Sequence, residues 1–212
     1  MKNINKVVVA DDHDIIREAV KLFLQPHQHL QVVAETGDGS QVLRLCREHQ
    51  PDLLLLDITF QNRDGIDILK QAKKEFPQLN VLMFSAHEEQ KYAIRALKAG
   101  ASGYLNKQFS VDFLIPAIEC VLAGNKYISQ SLAQELANRV QTDFKPVAYE
   151  KLSDRELQTL RFIAQGLSVS DIADKLNLSV KTISMYRART LEKLNLRHNA
   201  ELIRYAIDHE LS

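Results

Sequence analysis

The 212-residue chain has no tryptophan and only two cysteines, five prolines and seven glycines. Such counts exclude disulfide-rich, collagen-like and low-complexity classes. Neither sign of charge is in excess: 27 basic residues balance 27 acidic ones, so any polyanion-binding surface must be local. Purely aliphatic runs stop at four residues, at 7–10 and 53–56, far short of the roughly 20 needed to span a bilayer. The opening MKNINK meets Asp11-Asp12 after only four apolar residues, which is not the pattern of a secretion signal. Cys46 and Cys120 each sit on an apolar helical stripe and are expected to be buried, reduced thiols. A cytoplasmic protein without a membrane partner is expected.

What is present is a change of rhythm. Over residues 1–125, short apolar runs at 6–10, 30–34, 53–56, 81–84 and 102–105 alternate with segments of helical spacing. Ile15, Ala19, Leu22 and Phe23 mark the first of those segments, and Ile66, Leu69 and Ala72 the third. Continuous apolar runs between amphipathic helices predict parallel strands buried on both faces. Five such units predict an α/β doubly wound five-stranded parallel sheet of flavodoxin-like size. Pro116 would lie well inside the fifth helix if that helix began at Ser110, so the helix must start later or kink. Residues 126–149 read as a linker with one short helix near 131–140. Residues 150–212 carry no strand-like run, only helical segments near 153–165, 168–176, 180–194 and 199–209. They predict a small all-α domain.

Ligands of a doubly wound sheet bind at the carboxyl ends of its strands. Asp11 and Asp12 end the first strand, Asp57 the third and Ser85 the fourth, while Lys107 follows the fifth. In register, three carboxylates, a hydroxyl and an ammonium converge on one rim. Close carboxylates need a cation, and hard oxygen ligands with room for water suit Mg2+ or Mn2+. A divalent ion and a lysine together can neutralise the oxygens of a phosphoryl group on one carboxylate.

Asp11-Asp12, Asp57, Ser85-Ala86, Tyr104 and Lys107 resemble, in order and spacing, the signature of a two-component receiver domain. The resemblance implies that Asp57 accepts phosphate from a sensor histidine kinase. It also implies that Asp11, Asp12, Asp57 and the Thr59 carbonyl hold Mg2+, and that Lys107 and Ser85 hold phosphoryl oxygens. Tyr104 would move inward as Ser85 is drawn to the phosphate, and Thr59 and His87 would tune phosphate lifetime. Two departures stand out. The family often has Met-Pro three residues after the phosphorylated aspartate, where this chain has Phe60-Gln61. It also often has proline after the lysine, where Gln108 predicts a trans bond. Asp14 and Asp64 read as capping or turn residues.

In the second domain, 168–194 has the pattern of a helix-turn-helix, with Ser179 placed to cap its second helix. Between 179 and 197, Lys181, Arg187, Arg189, Lys193 and Arg197 face a single acid, Glu192. That local excess is where phosphate contact is expected. Leu152-Ser153-x-Arg155-Glu156, Ala164-x-Gly166, Asp171-Ile172-Ala173, Leu178-Ser179, Thr182-Ile183 and Lys193-Leu194 resemble the LuxR/NarL-type DNA-binding domain. The resemblance implies a major-groove helix carrying Lys181, Thr182, Ser184, Met185, Tyr186, Arg187, Ala188, Arg189 and Lys193 to double-stranded DNA. Together the two halves are identified as a response regulator of the NarL/FixJ type, a homodimer when phosphorylated. A phosphorylation-independent regulator with a vestigial receiver is the alternative. An aspartyl-phosphate phosphatase often has a second aspartate two residues after its nucleophile, where this chain has Thr59, so no enzyme is expected.

Overall fold

The computed structural model describes residues 4–60, 63–86, 89–107, 111–130, 132–134, 137, 148–209 and 211. The chain divides into two compact units, Met1–Thr142 and Asp143–Ser212. Among the described residues of the first, five strands alternate with five helices up to residue 122. They are β1 (Asn5–Ala10), α1 (Asp14–Leu24), β2 (Leu30–Thr36), α2 (Val42–His49), β3 (Leu53–Leu56) and α3 (Gly65–Glu75). β4 (Asn80–Ser85), α4 (Glu89–Lys98), β5 (Gly103–Asn106) and α5 (Leu114–Leu122) follow. Every strand pair is parallel, and the spatial order is β2-β1-β3-β4-β5. Strand order therefore reverses between β1 and β3, which places their carboxyl ends, residues 11 and 57, side by side.

The apolar runs become strands because both faces of the sheet are covered. Val7, Val9, Leu53, Leu55, Leu82 and Phe84 join Val20 and Leu24 of α1 and Leu114, Ile118 and Val121 of α5 in one core. The alternate residues Val8, Leu54, Leu56 and Met83 are equally buried. The five predicted strands are recovered with ends shifted by at most two residues, and a helix follows each. Pro116 is explained by a late start: a 3-10 turn at Val111–Phe113 precedes α5, and Pro116 falls in the first helical turn, where no intrahelical N–H is needed. Cys46 is buried and Cys120 partly exposed, and both are free thiols. Burial pushes the Cys46 thiol up to about 11, so it stays protonated and inert.

The chain after α5 does not leave the sheet at once. Tyr127 pairs in parallel with Gly103 at the β5 edge. Tyr104 N–H donates to Tyr127 O at 2.9 Å and Tyr127 N–H to Ser102 O at 3.1 Å. A Cβ on residue 103 would meet Tyr127 O at 2.6 Å, so the close approach requires glycine there. Leu132 is fully buried, and the remainder of the helix expected near 131–140 lies largely outside the described residues.

The second unit holds α6 (Asp154–Ala164), α7 (Val169–Leu176), α8 (Val180–Leu194) and α9 (Asn199–Asp208). Capping boxes start α6 at Ser153/Glu156 and α7 at Ser168/Asp171, and the Ser179 hydroxyl accepts Thr182 N–H at the start of α8. Asn177 ends α7 in the left-handed region (φ 53°), a conformation its short polar side chain tolerates, and the chain turns there into α8. Leu157, Leu160, Ile163, Ile172, Leu176, Ile183, Leu194, Leu202 and Ala206 form the buried stripe. Leu191 and Ile203 are only half-buried, whereas Thr190 is fully buried and donates to Tyr186 O at 2.8 Å. No helix among the described residues is long and apolar enough to cross a membrane.

Candidate functional site

The ends of β1 and β3 bring Asp11, Asp12 and Asp57 together, and the turn after β5 swings Lys107 across to them. Lys107 Nζ lies 2.6 Å from Asp11 Oδ2 and 2.9 Å from Asp57 Oδ2. The first contact is an ion pair lacking hydrogen-bond alignment, and the second is a hydrogen bond. Asp11 and Asp57 are 2% and 3% exposed, so the carboxylates have little water to stabilise them. Burial accordingly raises the Asp57 carboxyl above its ordinary value; Lys107 opposes this, the Asp11 charge adds to it, and Ile58 N–H donates to Oδ1 at 2.7 Å. Three carboxylates against one ammonium leave this notch net negative.

The donor set fits a divalent ion. Oxygens of Asp11, Asp12 and Asp57, with a nitrogen of His13, all lie within 4.8 Å of one another. Hard oxygen donors in a half-buried, negatively charged notch suit Mg2+ or Mn2+.

Neighbouring residues fix the notch. Gly65 opens α3 so close to β3 that a Cβ would stand 2.0 Å from Asp57 O. Its N–H donates to Ile58 O at 2.6 Å, and Asp64 caps α3 by accepting Ile66 N–H at 2.8 Å. Lys107 N–H donates to Ser85 O at 2.8 Å, which holds Ser85, fully buried, beside the lysine's backbone. Tyr104 is also fully buried. Thr59 is exposed and bridges to Asp64, so its side chain lies outside the notch's buried part. His87, Gln61 and the Lys107-Gln108 bond lie outside the described residues.

Sequence reasoning missed Arg17. Its guanidinium donates to Asp11 O at 2.7 Å and to Asp14 Oδ1 at 2.6 Å, clamping the β1–α1 turn that presents the two aspartates. Asp14 is thus a first-turn acid paired to Arg17, while Asp64 is a true cap. The i, i+3 spacing of Asp14 and Arg17 was the available signal.

In the second unit, α8 exposes Lys181, Ser184, Met185, Ala188 and Arg189, which share one face by their three- and four-residue spacing. Thr182, Tyr186 and Arg187 are half-buried beside them. Two of the nominated cations already have partners within the domain. Lys193 Nζ lies 2.7 Å from Glu156 Oε2, whose carboxylate is nearly inaccessible, and Arg187 Nε donates to Asn199 Oδ1. Each cation keeps further N–H donors after that bond, and the Lys193 ammonium is anchored on a buried carboxylate.

Residues 7–119 match the response regulator receiver domain family, and residues 150–206 match the bacterial regulatory proteins of the luxR family. The chain belongs to the response regulator family. It is 36% identical to the response regulator GacA of Pseudomonas aeruginosa over 208 residues, covering 96% of each chain. It is 31% identical over 206 residues to the response regulator UvrY of Escherichia coli, covering 97% of this chain and 94% of that one. Its fold is similar to RcsB of Salmonella typhimurium, with a TM-score of 0.72 at 26% identity over 96% of both chains. RcsB bound to promoter rprA in the presence of the phosphomimetic BeF3- gives 0.69 at 26% identity, over 96% of this chain and 98% of that one.

Proposed function

We propose that this response regulator is a two-component transcription regulator whose phosphoacceptor is Asp57. Residues 1–125 act as the receiver, 126–149 as the linker and 150–212 as the DNA-binding domain, in the cytoplasm. The observation that carries the reading is the Lys107 ammonium set between two buried carboxylates, 2.6 Å from one and 2.9 Å from the other. An uncharged packing role does not require that arrangement.

The donor is a sensor histidine kinase. An Asp57 carboxylate oxygen attacks phosphorus, an O–P bond forms, the N–P bond of the phosphohistidine breaks, and the imidazole leaves with the electron pair. Asp11, Asp12, Asp57 and the Thr59 carbonyl would hold Mg2+ or Mn2+. That ion supplies charge neutralisation for the notch and the incoming phosphoryl oxygens. Lys107 stays with the phosphoryl group as a point charge, and Ser85, drawn to it from the end of β4, frees space that Tyr104 keeps filled. The altered receiver surface favours a homodimer, which places two copies of α8 on half-sites about one helical turn or a multiple apart. Lys181, Arg189 and the free guanidinium nitrogens of Arg187 meet phosphates. Ser184 and Met185 face base edges, with Thr182, Tyr186 and Ala188 alongside and Lys193 behind them.

Intact mass spectrometry with acetyl phosphate and Mg2+ tests this. The wild type gains one phosphoryl group and Asp57→Asn gains none. DNA selection on both forms then shows tighter, paired-site binding for the phosphorylated one. Equal operator affinity for wild type and Asp57→Asn in the presence of phosphodonor would mean a vestigial receiver.

A further inference from the structure

We propose that His13 supplies a nitrogen ligand to the divalent ion of the acidic pocket, biasing that pocket toward imidazole-favouring ions such as Co2+ relative to Mg2+. The inference rests on the reading of Asp11, Asp12 and Asp57 as ion ligands. It adds a residue of different chemistry to that set.

Sequence places His13 directly after Asp12, at the N-cap of α1 with extended backbone (φ −97°, ψ 109°). A residue there ordinarily caps the helix with its side chain, and His13 does not. Instead its N–H donates to Asp11 Oδ1 at 3.0 Å, and the ring turns back over the carboxylates. Nδ1 lies 2.7 Å from Asp12 Oδ1 and 3.2 Å from Asp11 Oδ1. The ring is 60% exposed, so it has no packing duty and can pivot about χ1.

Without an ion Nδ1 makes hydrogen-bond contacts to the two carboxylates, and the same spacing lies near that of ligands around one ion. Ligands about 2.1 Å from one ion stand about 3.0 Å apart at right angles and about 4.2 Å apart when opposite. The four donor atoms of Asp11, Asp12, His13 and Asp57 all lie within 4.8 Å of one another, close to the span of one coordination sphere. Three carboxylates alone favour hard ions. An added imidazole raises affinity along the first-row series, least for Mg2+ and more for Mn2+ and Co2+. A histidine that only oriented Asp12 from outside the coordination sphere would alter affinity for all ions together. Selectivity separates the two roles.

The test uses the full chain as wild type, His13→Asn and Asp11→Asn. Calorimetric titration measures Mg2+, Mn2+ and Co2+ affinities, and pulsed electron paramagnetic resonance of the Mn2+-loaded protein reads nitrogen hyperfine modulation. Wild type should show that modulation. His13→Asn should lose it, together with about tenfold in Co2+ affinity and less than about twofold in Mg2+ affinity. Modulation that persists in His13→Asn, or Mg2+ and Co2+ affinities that fall equally, would overturn the assignment of His13 as a ligand. If Asp11→Asn leaves Mn2+ binding unchanged, the acidic pocket itself is not the ion site and both readings fall together.

Discussion

Replacing Lys193 with methionine separates two roles that the sequence alone cannot. The Lys193 ammonium and Ser153 N–H both contact Glu156 Oε2 at 2.7 Å, so one carboxylate caps α6 and pins α8 to it. Glu156 is 2% exposed. Burial pushes its carboxyl upward, but Lys193 and Ser153 outweigh that and hold it below the usual range. Removing one partner of a fully buried pair costs about 3–5 kcal/mol. The Lys193 side chain is 39% exposed, so solvent screening reduces the figure to about 1–2 kcal/mol. For a domain this small, that lowers the unfolding temperature by roughly 5–15 °C. Calorimetry of the full chain should show the loss in the second unit's transition. The salt dependence of DNA binding should stay as in wild type. The deficit should also shrink in acid. The folded Glu156 pKa is depressed, so the stability it confers is complete above the unfolded value near 4.5 and is lost as pH falls through the lower folded value. An unchanged unfolding temperature with a salt slope reduced by about one unit would refute the reasoning and make Lys193 a phosphate contact.

Gly65→Ala forces a methyl to within 2.0 Å of Asp57 O, against backbone rather than a yielding side chain. It should destabilise the first unit by about 1–3 kcal/mol and slow phosphorylation from acetyl phosphate; wild-type melting and rate would show that α3 can retreat. Arg189→Ala should weaken binding to all DNA sequences and lower the salt slope by roughly one unit, and loss confined to one operator would contradict that. Met185→Ala should change preference at a single base pair by about 1–3 kcal/mol, measured by selection; an unaltered selected site removes Met185 as a reader.

The sheet and its pocket were legible because both obey local rules. Runs such as 53–56 have nowhere to go but a doubly covered strand, and a strand-end aspartate can be placed once strand order is known. What escaped depends on individual hydrogen bonds that periodicity does not display. Arg17 carries no motif of its own, yet it reaches the carbonyl of Asp11. Lys193 looked like part of a basic stripe, yet Glu156, 37 residues away, holds its ammonium. Thr190 is polar, but a bond to Tyr186 O satisfies its hydroxyl inside the core. The pairing of Tyr127 with β5 left no pattern at all, since one isolated bridge needs no periodicity.

That last contact bears on how the receiver should be cut from the chain. β5 is an outer strand, and unpaired amides and carbonyls along an outer strand invite a foreign one. Tyr127 already occupies two of those positions, at Ser102 and Tyr104. A fragment truncated at 125 would bare them and promote self-association by strand addition, whereas one extended beyond Leu132 would carry its own cover.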